Sequence, residues 1–154
     1  IMPDEQKAPT KINPQSLNDY LEIMTKVVFQ SGMSWKVVEN KMPGIREAFK
    51  DFDVVAVADF DERDLEVLGQ DTRVIRNQRK LAAIVGNARR MLELEQEHGS
   101  FRNYLRAHGN FDATMKTMRK DFKYLGPFGI FYFLYVVGED VPEHDEFQRV
   151  YGKK

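Results

Sequence analysis

An all-α fold is what this sequence predicts, and three observations predict it. Apolar residues recur at helical spacing in several separate stretches; Leu17, Tyr20, Leu21, Met24, Val27 and Val28 form the clearest one. Capping residues and Gly or Pro breaks divide those stretches, as at Ser31-Gly32, Ser34, Gly99-Ser100 and Gly126-Pro127. Alternation of period two is missing, with 54–58 the only strand candidate and a short one. At 154 residues the chain suits one domain with one core.

The elements follow in order. Residues 1–14 carry charge, proline and polar side chains with little to bury, and read as a flexible N-terminal arm; residues 15–154 form the single helical domain. Ser16 with Asp19 three residues on marks a helix start. Ser31-Gly32 marks its end, since glycine takes the left-handed conformation at little cost. Ser34 caps a second helix carrying Trp35, Val38 and Met42, which Pro43-Gly44 is expected to stop. A short segment, 45–52, follows. Asp61 with Asp64 opens another short helix, Leu65 and Leu68 inward and Gly69 closing it. The longest helix is expected over 77–97, with Leu81, Ile84, Val85, Ala88, Met91 and Leu92 on its apolar face. Ser100 can cap a helix over 101–107, and one over 112–120 leads into Phe122-Lys123-Tyr124-Leu125-Gly126-Pro127-Phe128-Gly129. An apolar helix over 130–137 comes next, closed by Gly138, and Pro142 starts a last one through Val150.

The charges nearly cancel, 23 Lys and Arg against 24 Asp and Glu, for a net charge of −1. A histone-like, charge-driven DNA binder would be strongly basic and is excluded. An enzyme that touches a few phosphates needs only a local basic patch, so DNA is not excluded. The most apolar stretch, 130–137, is too short to span a bilayer, and no membrane partner is expected. No secretory signal is visible, and the chain has no cysteine, hence no disulfide framework and no thiolate metal site. A cytoplasmic protein fits those features.

Most informative locally is Leu125-Gly126-Pro127-Phe128-Gly129. Its glycines let the backbone approach another group closely, because no Cβ intervenes. The N–H groups that open the following helix favour an anion, so a phosphate fits there without a basic partner. Lys116, Arg119 or Lys120, then Lys123 add charge on one face of the preceding segment. Together they suggest a clamp on a nucleic-acid backbone, which positions without reading sequence. Taken alone, the same features also describe an ordinary turn before a buried helix and a solvated basic face.

Three separated segments carry a resemblance. Phe29-Gln30-Ser31-Gly32-Met33-Ser34-Trp35 resembles an F/Q-Q-A-G-L-S-W signature. Residues 74–81, Val-Ile-Arg-Asn-Gln-Arg-Lys-Leu, with Asn87-Ala88 further on, resemble I-I-R-N-x-x-K-I…N-A. Phe122-Lys123-Tyr124-Leu125-Gly126, with Gly138 and His144 downstream, resembles G-F-K-F-V-G…G…D-H. Order and spacing are those of the 3-methyladenine DNA glycosylase I family, within the helix-hairpin-helix DNA glycosylases, and the resemblance spans residues 20–147.

That resemblance implies two small helical lobes around a base pocket. It also implies hydrolysis of the N-glycosidic bond of alkylated bases such as 3-methyladenine, in base-excision repair. The implied partner is double-stranded DNA with a damaged base, met by a monomer without a cofactor. Trp35 would line the pocket and stack on the extruded base, with Phe29 beside it, and Gly32 and Met33 would fill the gap in the duplex. Lys120, Lys123, Gly126 and Gly129 would lie at the DNA backbone. A 3-methylated adenine is cationic, so Trp35 or Phe29 would add cation–π attraction. Read without the family, Trp35 is a core anchor at a helix start.

The sequence departs from the family in three places. The family's zinc site uses two Cys and two His; here His144 matches one ligand position, Gln148 stands where a Cys would fall, and no zinc is expected. Packing must then tether the terminal segment. Val27 stands where the family has a base-contacting Glu, and a valine cannot accept a hydrogen bond from a base edge. A pocket that selects by shape and stacking is one consequence; a relative that binds DNA or lesions without cutting is the other. The family's N-terminal Tyr-His-Asp segment is replaced by Pro-Gln-Ser-Leu-Asn-Asp-Tyr.

For catalysis, Glu143 and Asp145 flank His144 just after Pro142. Either carboxylate could stabilise an oxocarbenium-like sugar, as in glycoside hydrolysis; both are equally ordinary at the first turn of a helix. No lysine occurs between Lys123 and Lys153, so a Schiff-base lyase step is not expected. Arg73, Arg76, Arg79, Lys80, Arg89 and Arg90 make a second basic cluster, read as a solvated face.

Overall fold

The computed structural model describes residues 10–152, and the regular structure among them is helical. In chain order come α1 (Leu17–Gln30), α2 (Trp35–Ala48), a 3-10 turn (Lys50–Phe52), α3 (Val54–Ala58), α4 (Glu62–Gly69), α5 (Gln78–His98), α6 (Phe101–Leu105), α7 (Phe111–Asp121), α8 (Pro127–Val136) and α9 (His144–Tyr151). The expected part of the arm that falls on residues 1–9 lies outside the described residues.

Local chemistry sets most helix starts. The Ser34 hydroxyl accepts from the Val37 N–H at 3.2 Å. Asp61 and Asp64 form a reciprocal capping box, each carboxylate accepting the other's N–H at 3.0 Å. Asn77 accepts from the Lys80 N–H at 3.1 Å, and Ser100 from Asn103 at 3.0 Å. Each such cap contributes about 1 kcal/mol.

Three expectations are corrected. Residues 54–58 are helical rather than extended, because Asp53 accepts from the N–H groups of Val55 and Ala56 and nucleates a turn. Pro43-Gly44 does not stop α2. Pro43 lies on the exposed face, and Glu39, whose carbonyl it leaves without a helix partner, is exposed too. Gly44 is there for close packing instead: a Cβ on it would meet the Arg73 carbonyl oxygen at 2.8 Å. Residues 10–14 dock on the domain, with Pro14 buried, the Ile12 N–H donating to the Val136 carbonyl at 2.7 Å and Lys11 over the Tyr135 ring.

Two lobes meet along α1 and α5. On one side α2, the 3-10 turn, α3 and α4 pack against those two helices; on the other α6 packs on α5, and α8 packs on α1 and α7. Helix α8 buries Ile130, Phe131, Phe133, Leu134 and Val136 on more than one side, as expected of a helix apolar all round. Helix α9 is held by its one buried residue, Phe147, stacked on Phe131 at 4.4 Å between ring centres and edge-on to Phe128 at 5.0 Å. The Tyr151 hydroxyl adds a hydrogen bond to Asp112 on α7. No helix among the described residues is long and apolar enough to cross a membrane.

Candidate functional site

The α7–α8 hairpin is built from residues 122–126. Phe122 and Leu125 are buried and anchor it, while Lys123, Tyr124 and Gly126 are exposed. The Asn87 side chain on α5 holds it from beneath with both ends of its amide: Nδ2 donates to the Lys123 carbonyl at 3.1 Å, and Oδ1 accepts the Lys123 N–H at 2.8 Å. Tyr124 then takes φ of +60°, a left-handed conformation that costs a bulky residue of order 1–3 kcal/mol. This turn directs its 43 %-exposed ring outward. Gly126 is the N-cap of α8 with no side-chain cap, and nothing lies within 4 Å of a Cβ built on it. Pro127 at the first position has no N–H, so the N–H groups of Phe128 and Gly129 are the ones the helix start leaves without an intrahelical partner. Lys116, Arg119 and Lys120 are exposed on the helix that leads in.

The turn after α1 is equally constrained. Gly32 has φ of +83° and open space around it. The Met33 N–H donates to the Gln30 carbonyl at 2.7 Å, and the Gln30 side chain returns a bond to the Met33 carbonyl at 3.1 Å. From α5, the Lys80 ammonium donates to the carbonyls of Phe29 at 3.1 Å and Ser31 at 2.7 Å. Burial holds the Lys80 pKa below the ordinary lysine value.

Trp35 opens α2 and is only 3 % exposed. Its ring packs edge-to-face with that of Tyr132 on α8, ring centres 5.9 Å apart. The Tyr132 hydroxyl in turn pairs with the exposed His144 Nε2 at 3.3 Å, and its pKa is raised by burial. Glu143 and Asp145, both exposed, flank that histidine at the start of α9. The fold thus joins Trp35, Tyr132, His144 and the two carboxylate-bearing residues in one continuous run.

Other expected site residues lie elsewhere. Phe29 is fully buried in the core and has no open face for a base; its carbonyl, not its ring, serves the adjacent turn. Val27 is buried on the α8 side of α1. Gly129 lies against it, since a Cβ there would stand 2.9 Å from Val27 Cγ1. The missing Cβ of Gly129 thus lets α8 lie close to α1. Clefts of about 460 and 270 Å³ open beside α7, lined by residues such as Arg106, Asn110 and Glu139 in the first and Asp112, Phe147 and Tyr151 in the second. Trp35 lines neither.

The second basic cluster dissolves into partners. Arg73 pairs with Asp71, Arg90 with Asp121 and Glu93, and Arg89 donates to the carbonyls of Ala58 and Phe60. Lys80 is buried. Among the described residues, exposed Arg76 and Arg79 have no carboxylate within ion-pair distance.

The residues present do not fit a zinc ion. His144 Nε2 faces the Tyr132 hydroxyl, Gln148 stands one turn on in place of a thiol, and no metal-holding group of three His, Cys, Asp or Glu occurs among the described residues. Sequence reasoning passed over Tyr124 and Tyr132. A tyrosine inside the apolar run 130–137 was a signal, because a buried phenol needs a hydrogen-bond partner; the φ of Tyr124 left none.

The sequence model of the methyladenine glycosylase family matches residues 13–125. A stretch of 76 residues is 42% identical to the DNA-3-methyladenine glycosylase 1 of Escherichia coli, covering 49% of this chain and 41% of that protein. The matched stretch is therefore less than half of the relative's length. The 3-methyladenine DNA glycosylase I of Staphylococcus aureus superimposes with a TM-score of 0.75 at 27% identity, over 84% of this chain and 80% of that one. A tyrosine variant of a 3-methyladenine DNA glycosylase I in complex with 3-methyladenine gives 0.75 at 26% identity, over 92% and 87%.

Proposed function

Because the chain belongs to the methyladenine glycosylase family, we propose that it is a monofunctional DNA glycosylase. It would excise alkylated or otherwise damaged, 3-methyladenine-like bases from double-stranded DNA by hydrolysing the N-glycosidic bond. One observation carries the reading: α8 has the uncapped Gly126 hairpin at its start and, along its length, Tyr132, which bridges Trp35 and His144. Strand grip and base pocket are then two ends of one rigid element.

The mechanism follows from those residues. The α8 N–H groups and exposed Lys123, with Lys120 nearby, hold a phosphate. Gly32 and Met33 enter the gap as the nucleotide leaves the stack. The base reaches the Trp35 ring by displacing the Tyr132 ring. Trp35 stacks on it and favours a cationic base. Such a base leaves readily, so positioning supplies most of the rate. Glu143 or Asp145 stabilises the developing sugar cation while water attacks. With no lysine between Lys123 and Lys153, the product is an abasic site without strand cleavage. None of these steps uses a cofactor. The proposed setting is the cytoplasm, where a chain without cysteine forgoes no disulfide.

Val27 packed on Gly129 favours a second reading, in which the protein binds lesions without cutting, since it offers no acceptor to a base edge. Mass spectrometry of bases released from alkylated duplex separates the two. Release by wild type, reduced in Trp35→Ala and in the milder Trp35→Phe, is the expected result. No release above buffer, with retained affinity for abasic-site duplex, selects the second reading.

A further inference from the structure

Helix α5 carries two buried polar side chains that serve other segments. Lys80 is 7 % and Asn87 2 % exposed, and both point away from the solvent face of their own helix. Seven residues separate them, two turns less about 20°, so they share a face and stand about 10 Å apart along the axis. Lys80 donates to the carbonyls of Phe29 and Ser31, at the end of α1; Asn87 brackets the backbone of Lys123.

Neither is the inexpensive choice for a core. A methionine at 80 would fill the space without desolvating an ammonium, and among the described residues no carboxylate lies within ion-pair distance of Lys80. What methionine could not do is hold two carbonyls at once. These are end-of-helix carbonyls, where a positive charge is favoured, and α1 has no basic residue of its own in its last turn. Asn87 has the same logic: its amide offers a separate donor and acceptor, which a backbone C=O and N–H of one residue take together.

We propose that Lys80 and Asn87 are positioning residues that make α5 a spacer, fixing the Ser31–Gly32–Met33 turn and the Lys123–Gly126 hairpin at a set separation, so that gap filling and strand grip meet the same site on a duplex. The inference rests on the reading above that both segments touch DNA. The two residues act at different stages. The hairpin grips any duplex, whereas the turn acts only where the stack has opened.

Binding measurements on the full chain test this without relying on catalysis. Affinities are compared for one intact duplex and the same duplex with an abasic site, for wild type, Asn87→Leu, Lys80→Met and Lys80→Arg, with thermal melts of each. Asn87→Leu weakens both affinities alike, by about tenfold, the equivalent of one well-placed hydrogen-bond pair. Lys80→Met leaves intact-duplex affinity within about twofold and lowers the abasic preference by about tenfold. Its melting temperature is equal or higher, and Lys80→Arg restores the preference because its fork can reach both carbonyls. Wild type that binds, with Lys80→Met lowering both affinities together or neither, overturns the spacer. So does Asn87→Leu with unchanged affinities, or an Arg variant no better than Met. Wild type that binds neither duplex overturns the DNA reading itself and takes this inference with it.

Discussion

Val27 Cγ1 stands 2.9 Å from the point a Cβ on Gly129 would occupy, so α1 and α8 approach here as closely as the Val27 side chain allows. Two positions read separately in the sequence, one as a lost acceptor and one as a strand contact, are a single packing unit.

Gly129→Ala gains up to about 1 kcal/mol of helix propensity but overpacks a stiff β-branched neighbour, which costs about 1–3 kcal/mol. The net expectation is a less stable protein. In Val27→Ala the space reopens, so the double variant is more stable than the sum of the singles by about 1 kcal/mol. Urea unfolding of the four proteins checks this, and strict additivity would rule the contact out as the constraint.

Tyr132→Phe keeps the edge-on contact with Trp35 and removes the hydroxyl that meets His144. A partly exposed hydrogen bond of this kind contributes at most about 1 kcal/mol, so the fold survives. If the pocket lies where proposed, base release slows by about tenfold, the effect of one lost polar contact in the reacting complex, while affinity for intact duplex holds. Single-turnover release assays decide, and an unchanged rate removes Tyr132 from the site.

Tyr124→Gly separates stability from binding by sign. Glycine takes φ of +60° freely, which relieves strain of about 1 kcal/mol and raises the melting temperature. The exposed ring is lost, and with it an aromatic surface beside the proposed strand contact, so duplex affinity is expected to fall. A variant that is more stable and binds equally well shows that the ring touches no DNA.

The Tyr151 phenol donates to Asp112 and is partly buried, and it is pushed up to about 12 from an ordinary 10.0. Between those pH values the unfolded chain loses the proton that the folded one keeps. The stabilisation is therefore complete below pH 10 and is lost as pH rises to about 12. The stability difference between wild type and Tyr151→Phe should be constant below the window and shrink through it. A difference that stays constant across the window disproves the linkage.

Much of the fold was legible because its signals are local. Asp61 and Asp64 cap each other three residues apart, Ser34 and Asn77 cap the helices that follow them, and Gly126-Pro127 opens α8 by the conformations those two residues prefer. The errors were local too. An apolar run at 54–58 is ambiguous between strand and buried helix until the Asp53 side chain is seen to bond the next turn. Pro43 lies inside α2 on its exposed face, and Glu39, whose carbonyl it leaves without a helix partner, is exposed as well.

The sequence by itself determined an all-α chain, its helix starts, the hairpin and the family whose motifs it carries. Only the tertiary structure decided what those motifs do to one another. Lys80 bonds a carbonyl 51 residues away, Asn87 brackets a residue 36 away, and Trp35 meets Tyr132 on another helix. The reason is physical: a cap or turn is settled by forces within a few residues, whereas a buried amide or ammonium acquires its partner only when packing brings distant backbone against it and leaves no water to serve instead.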